Sequence, residues 1–233
     1  MPSRINDTID ESAVRKAPIF LGLDESAASS LRTSMTLVKL RKGQSLFKEG
    51  DDGDHLYVID NGKVKLGTKS PDGRENLLMI LGPGDMFGEL SLFDSGPRTA
   101  TATAVTDSKL LSLGQSKVIP WVREHPEVSL HLLSRLASRL RRTNEVVGDL
   151  VFSDVPGRVA KALIDLGVKF GEQKPEGLHV SHDLTQEELA QLVGASRETV
   201  NKALADFAQR GWIRLEARSV VVLDYERLLK RGR

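Results

Sequence analysis

Residues Leu184 to Leu204 constrain this chain most, because two short helical periodicities meet there at a single glycine. Leu184 to Val193 reads as a short helix, and Gly194-Ala195-Ser196 joins it to a second that starts at Arg197. Thr185 and Ser196 are suited to N-cap their helices, and Gly194 can supply the left-handed residue that stops the first. Two short helices with so tight a joint form a helix-turn-helix, whose second helix fits the major groove of DNA. In that second helix Arg197, Glu198, Asn201 and Lys202 fall on one exposed stripe, with Val200, Ala203 and Leu204 opposite. Arg197 and Lys202 can donate to guanine O6 and N7, and Glu198 can accept from cytosine N4. The alternative is a solvated charged face on an ordinary surface helix.

Two β-branched, apolar runs follow, Trp212 to Leu215 and Ser219 to Leu223, separated by Glu216-Ala217-Arg218. This is a hairpin signal placed where a winged helix carries its wing. Charge adds nothing to the argument: from Pro156 onward there are 13 Lys and Arg against 11 Asp and Glu, and before it 20 against 21. Any phosphate-binding surface must therefore come from local clustering. The 233 residues suffice for two domains with cores of their own. No apolar run approaches a membrane span, and the polar N-terminus MPSRINDTIDESAVRK lacks a signal-peptide core, so the expected location is cytoplasmic. Absence of cysteine excludes disulfides, thiolate zinc and cysteine-ligated iron–sulfur clusters. His179 and His182 are close in sequence but lack a partner at metal-ligand spacing, so no metal site is expected.

The preceding part has a different texture. From Leu37 to Leu113 short apolar segments alternate with glycine-bearing turns such as Lys42-Gly43, Asp51-Asp52-Gly53, Pro71-Asp72-Gly73 and Gly82-Pro83-Gly84. Leu56 to Ile59, Lys63 to Thr68, Leu77 to Leu81 and Lys109 to Leu113 read as strands, and Asn61-Gly62 as a two-residue hairpin turn. Many short strands at regular spacing imply a rolled β-structure, a jelly roll, bracketed by helical signals at Ser26 to Met35 and from Ser116 onward. One segment breaks the pattern: Phe87-Gly88-Glu89-Leu90-Ser91-Leu92-Phe93, running into Gly96-Pro97-Arg98-Thr99-Ala100. A single helical turn there offers free N–H groups to an anion, Arg98 a planar fork of donors, and Thr99 a hydroxyl. Glu89 can accept from a sugar hydroxyl. Together these make a nucleotide pocket; the alternative is a structural turn in which Glu89 and Arg98 pair with each other. The segment lacks a phosphate-cradling P-loop and a catalytic base, so no catalytic residue is assigned and hydrolysis is not expected.

A long helix, about Pro126 to Phe152, joins the two parts. Leu133, Leu136, Leu140, Thr143, Val147 and Leu150 are spaced three and four apart in alternation, an a/d seam that calls for a second helix. A homodimer is the simplest source, the alternative being packing on the chain's own β-roll. Thr143 interrupts the seam with Asn144 beside it, and Ser153 to Pro156 reads as the hinge, since proline disfavours helical geometry in the residue before it. The expected architecture is thus α+β, with a β-roll at 1–116, a long dimerisation helix and hinge at 117–155, and a winged helix-turn-helix domain at 156–233.

GELSLF with the trailing GPRTATA, the LASRLRRTNEVVGDL helix, the DVPGRVA junction and GASRETVNKAL together resemble the cyclic AMP receptor protein (Crp–Fnr) superfamily, in one continuous order over about residues 16 to 225. Among its branches the chain looks most like the actinobacterial cyclic AMP receptor proteins. The resemblance implies a homodimeric transcription regulator that binds cyclic AMP as effector, reads a palindromic double-stranded operator and works with RNA polymerase. Gly88, Glu89, Leu90 and Ser91 would line the sugar-phosphate end of the pocket, Arg98 and Thr99 would hold the cyclic phosphate, and Glu89 the ribose. Thr143 and Asn144 would meet the adenine. Arg197, Glu198 and Lys202 would read bases, while Thr185, Ser196 and Thr199 stand at the helix starts, where phosphate is met. The chain departs from relatives at Lys202 and Asn144, where arginine and serine are common, and at Gln186-Glu187, which lacks a basic residue. Losing an arginine fork softens base discrimination. The implied mechanism is that ligand favours a straight, paired helix through Leu150 and turns the winged helices about the hinge. A ligand-independent regulator of the same superfamily is the alternative. The Gly171 to Gly177 loop is a candidate for polymerase contact or a plain linker.

Overall fold

The computed structural model describes residues 9–233, so the first half of the polar N-terminal stretch lies outside the described residues. The chain divides into two compact units, one of residues up to Arg74 and Leu78–Leu140, the other of Glu75–Leu77 and Arg141–Arg233.

The first unit opens with helix α1 (Glu11–Val14), a 3-10 turn at Pro18–Phe20 and α2 (Glu25–Thr33). Eight strands follow: β1 (Thr36–Leu40), β2 (Ser45–Phe47), β3 (His55–Asn61), β4 (Val64–Lys69), β5 (Glu75–Leu81), β6 (Met86–Phe87), β7 (Thr101–Ala104) and β8 (Ser108–Gly114), with a single-turn helix α3 (Leu90–Phe93) between β6 and β7. They form two four-stranded sheets, in the orders β1-β8-β3-β6 and β2-β7-β4-β5. Ile59, Val64, Leu66, Phe87, Ala102, Ala104 and Leu110 form one core, to which both sheets contribute. The other face of the first sheet presents Leu56, Val58, Leu111 and Leu113 to Val14, Ile19, Phe20, Leu31, Val118, Val128 and Leu132 from the helical segments. Side chains alternate along a strand, so β8 needs apolar residues at both parities, and Lys109 to Leu113 carries them.

Asn61-Gly62 does not close a hairpin. β3 bonds to β8 and β6, and β4 to β7 and β5, so the turn passes the chain from one sheet to the other. Gly62 has φ +90°, and a Cβ there would lie 2.3 Å from Ser108 Oγ and 2.5 Å from the Asp107 carbonyl. The dipeptide was chosen for that crowded corner, where a side chain has no room. The hairpin of this region joins β4 to β5 through Pro71-Asp72-Gly73, closed by the Gly73 N–H on the Ser70 carbonyl at 2.8 Å.

Helix α4 (Gln115–Glu124) leads into the long helix α5 (Pro126–Phe152), at the expected bounds. The second unit continues with α6 (Val155–Phe170), β9 (Gly171–Lys174), β10 (Gly177–Val180), α7 (Gln186–Val193), α8 (Arg197–Gln209), β11 (Ile213–Glu216), β12 (Ser219–Val222) and α9 (Tyr225–Arg231). Pro156 stands in the first turn of α6, where its missing N–H costs nothing, and Asp154 N-caps that helix by accepting the Gly157 N–H at 2.9 Å. The wing hairpin β11–β12 is joined by β10 and β9 into one sheet, order β11-β12-β10-β9. Gly171 to Gly177 is therefore neither loop nor linker, but a strand and the turn of a hairpin, Gly171 pairing with Val180 and Lys174 with Gly177. Polar, glycine-bounded residues hid it, because an edge strand need not alternate.

Candidate functional site

In the β-roll, Arg98 is only 4% exposed and Glu89 3%, yet they do not pair with each other. Arg98 turns inward beneath the segment that holds α3: its Nη1 donates to the Gly88 carbonyl and its Nη2 to the His55 carbonyl, each at 2.8 Å. Its guanidinium carbon stands 4.3 Å from the centre of the Phe47 ring and 5.9 Å from that of Tyr57, within reach of a cation–π attraction. Burial pushes the Tyr57 phenol above its ordinary value, with Arg98 pulling it back. The third arginine nitrogen, Nε, is buried with no hydrogen-bond partner. Glu89 accepts from Arg139 Nη1 at 3.0 Å through Oε1, while its Oε2 is buried and without a partner. An unsatisfied buried donor and acceptor each cost about 1–3 kcal/mol, and these two could take complementary groups of a ligand.

Two glycines make this packing possible. Gly88 has φ +82°, and a Cβ on it would meet Arg98 Nη1 at 2.9 Å. A Cβ on Gly53 would lie 2.6 Å from Ser91 Cβ and 2.7 Å from Arg98 Nε. The structure places Gly88 against Arg98, and Ser91 and Arg98 both against Gly53, while Leu90 is half-buried on α3 and Thr99 is exposed. Gly53, Phe47, His55, Tyr57 and Arg139 also surround these two groups, and the sequence pattern does not single them out. His55 acts through its carbonyl, which no side-chain pattern reveals; Gly53 lay within a recognised turn, and only the approach of Arg98 gives it meaning. Thr143 and Asn144 sit exposed on α5, in the second unit. The seam residues Leu133 and Leu140 are 61% and 62% exposed, with Val147 and Leu150 half open to solvent.

The helix-turn-helix is built as its sequence dictates. Thr185 and Glu188 form a reciprocal capping box at the start of α7, and Gly194 ends it at φ +68°. Ser196 N-caps α8 through the Thr199 N–H at 3.2 Å, and its hydroxyl also meets the Thr199 hydroxyl at 2.9 Å. Val200, Ala203, Leu204 and Phe207 are buried, leaving Arg197, Glu198, Thr199 and Lys202 exposed. Lys202 Nζ and Glu198 Oε1 pair at 2.8 Å, an exposed (i, i+4) contact cheap enough to exchange for a base edge. Asn201 departs from the expected stripe: it is half-buried, with Nδ2 donating to Gln186 Oε1 at 3.2 Å and Oδ1 buried without a partner. One residue past buried Val200, it faces α7 rather than solvent. Gln186 also receives Arg197 Nη2 at 3.4 Å, so this residue of the first helix orients the second. The Thr185 hydroxyl is already engaged with Glu188, so an anion there would meet the helix N–H groups first. Among the described residues no group of three histidines, cysteines or carboxylates could hold a metal ion, and no helix is long and apolar enough to cross a membrane.

Residues 37–125 match the model of the cyclic nucleotide-binding domain, and residues 157–231 that of the Crp-like helix-turn-helix domain. The chain is 55% identical over 223 residues to the CRP-like cAMP-activated global transcriptional regulator of Mycobacterium tuberculosis, covering 96% of this chain and 100% of that protein. The crystal structure of the Thermus thermophilus catabolite activator protein is 34% identical, with a TM-score of 0.54 over 93% of this chain and 98% of the other. The c-di-GMP responsive global regulator CLP of Xanthomonas campestris shares the fold alone, at 24% identity and a TM-score of 0.73 over 85% of this chain and 99% of that one. The two domain models in this order, and an identity that runs the length of the mycobacterial regulator, show that this chain belongs to the Crp–Fnr superfamily of transcription regulators, on its actinobacterial, CRP-like branch.

Proposed function

We propose that this chain is a cyclic AMP-responsive regulator that acts in the cytoplasm as a homodimer, binds a palindromic DNA site through α8, and works with RNA polymerase when bound. One observation carries the ligand reading: the buried, unpartnered Arg98 Nε and Glu89 Oε2 are a donor and an acceptor on the two residues that suit a cyclic phosphate and a ribose hydroxyl. A cyclic nucleotide supplies the complementary groups. Gly88, Leu90, Ser91 and Thr99 complete the sugar-phosphate end, and the exposed Thr143 and Asn144 offer hydrogen-bonding groups to the base. The name of the mycobacterial relative favours cyclic AMP among cyclic nucleotides.

The exposed apolar seam on α5 supports the dimer. Helix-turn-helix dimers, this family's among them, place their recognition helices about 34 Å apart, one DNA turn, so two copies of α8 suit adjacent major grooves. Arg197, Glu198 and Lys202 then read bases, with Thr185, Ser196 and Thr199 at phosphates. Calorimetry of cyclic AMP with the wild type and Arg98→Ala tests the pocket. Binding by the wild type and a loss of at least about a hundredfold in the variant, both folded by circular dichroism, are expected from removing a buried charged donor. Equal binding by the two would remove Arg98 from the site.

A second reading, regulation without ligand, draws on the partners these residues already have: both Nη atoms of Arg98 are taken, and Arg139 occupies one oxygen of Glu89. Gel shifts on a selected palindrome with and without cyclic AMP separate the readings: a shift that cyclic AMP strengthens belongs to the first, and one it leaves unchanged to the second.

A further inference from the structure

The two helices of the helix-turn-helix begin with residues that meet each other. Gln186 is the first residue of α7 after its cap Thr185, and Arg197 the first of α8 after its cap Ser196. Gln186 Oε1 accepts from Arg197 Nη2 at 3.4 Å and from Asn201 Nδ2 at 3.2 Å. An amide oxygen has two lone pairs, so it can take both bonds at once. Arg197 and Asn201 are four residues apart, about one helical turn, and so present neighbouring side chains to α7.

The three side chains differ in freedom. Asn201 is half-buried, and its Oδ1 is shut away from solvent without a partner. Turning that amide over would set Oδ1 against Gln186 Oε1, acceptor facing acceptor, so the bond to Gln186 fixes which way it points. Packing thus holds Asn201, Asn201 holds Gln186, and Gln186 holds the exposed Arg197. A guanidinium carries five N–H donors, and one bond at Nη2 leaves a two-donor edge for guanine O6 and N7. Glu198 pairs with Lys202 at 2.8 Å, so it is not the group that orients Arg197.

We propose that Gln186 is a specificity-determining positioning residue: anchored by Asn201, it holds Arg197 in the orientation that reads a guanine, and so sets discrimination at one base pair of each half-site. This role rests on the reading of α8 as the base-reading helix and names the residue behind its selectivity at one position. A free arginine stem samples many rotamers, and an unheld fork can settle on a base edge or on a phosphate alike. A fork fixed before binding meets both acceptors of a guanine, whereas an adenine offers it one acceptor and an opposing N–H donor. The effect belongs to selectivity and not to general affinity, because an uncharged amide releases no counterions from DNA.

Fluorescence anisotropy of the full-length protein with cyclic AMP tests this. The duplexes are a palindrome selected with the wild type, variants of it with one base pair of each half-site replaced in turn, and random-sequence DNA. Arg197→Ala identifies the base pair that Arg197 reads, as the position where discrimination falls at least about fivefold. Gln186→Met keeps the length of the side chain and removes both amide groups. It should lose at least about threefold of the discrimination at that same base pair, with every other position and random-sequence DNA within about twofold of wild type. Gln186→Glu keeps an acceptor for Arg197 and Asn201. Its discrimination at that pair should stay within about twofold of wild type, while all duplexes bind more weakly by a common factor. In the Arg197→Ala background, Gln186→Met should change discrimination no further.

Undiminished discrimination in Gln186→Met would overturn the proposal, as would the same loss in a protein without Arg197. A loss spread evenly over all positions and random-sequence DNA would overturn it too, and make Gln186 a phosphate contact. If Arg197→Ala loses discrimination at no position, the base-reading assignment of Arg197 fails, and the proposal with it.

Discussion

At the scale of single residues, Arg98 and Glu89 are each held by neighbours on one side, Arg98 by the Gly88 and His55 carbonyls and Glu89 by Arg139, while Arg98 Nε and Glu89 Oε2 stay buried without a partner. In the sequence Arg98 and Glu89 stand out by type alone, a planar fork of donors that suits a phosphate and a carboxylate that suits a sugar hydroxyl. Which atoms remained available was not legible, since that depends on carbonyls such as those of Gly88 and His55, present in every residue alike. Asn201 shows the same limit: its place in the sequence put it beside three exposed residues, and only the neighbouring α7 made it an internal contact. Gly53 supplies a test. Alanine there would bring a Cβ within 2.7 Å of Arg98 Nε and 2.6 Å of Ser91 Cβ, so the guanidinium must shift from its place. Gly53→Ala is expected to weaken cyclic AMP binding at least about tenfold in calorimetry while lowering stability by only about 1–3 kcal/mol, the cost of local overpacking. Unaltered nucleotide affinity would show that Arg98 can reach its ligand from elsewhere.

At the scale of elements, capping and periodicity mark α2, α5, α7 and the start of α8, whereas α1, α6 and α9 carry no expectation from the sequence. Ser196, Thr185 and Gly194 act as their types require, and α5 keeps its expected bounds because Pro126 and the Ser153–Pro156 junction punctuate it. Strands are less legible in the sequence. Thr101–Ala104 carries a weak strand signal because alanines, not large apolar residues, fill its inward positions where β7 sits between β2 and β4. Asn61-Gly62 is a turn but closes no hairpin, because turn chemistry fixes local geometry and not the identity of the strands that pair. For α5 the seam yields a prediction. Burying Leu140 against a second copy is worth about 1.5–3 kcal/mol per side chain, twice over in a symmetric dimer. Leu140→Asp should therefore raise the dimer dissociation constant by at least about a hundredfold in sedimentation velocity. A variant that still sediments as a tight dimer would place the interface on another surface.

At the scale of the whole chain, contacts distant in sequence decide how the winged-helix unit holds its shape. Asp154 caps α6 and accepts from Arg231, and the Arg231 hydrogen bond, then that from the Gly157 N–H, holds its carboxyl below the ordinary value of 3.8. A carboxyl depressed in the folded state contributes stability that is full above its unfolded value and is lost as pH falls through the folded one. Asp154→Asn keeps a competent cap but loses the charge opposite Arg231. Thermal melts followed by circular dichroism should show the variant less stable than wild type near neutral pH, with the gap closing below about pH 4. A gap constant across the acid range would mean that the charge contributes nothing. The sequence by itself determined the order of the modules, the helix-turn-helix, the apolar seam and the residue types of the pocket, because these depend on spacing along one chain and on intrinsic side-chain chemistry. Only the tertiary structure decided which strands pair across the two sheets, that Glu89 meets Arg139 rather than Arg98, and that Arg142 and Asp149 are bound to α6. Those outcomes turn on which of several chemically equivalent partners comes within a few ångströms once the core has closed, and local pattern carries no record of that choice.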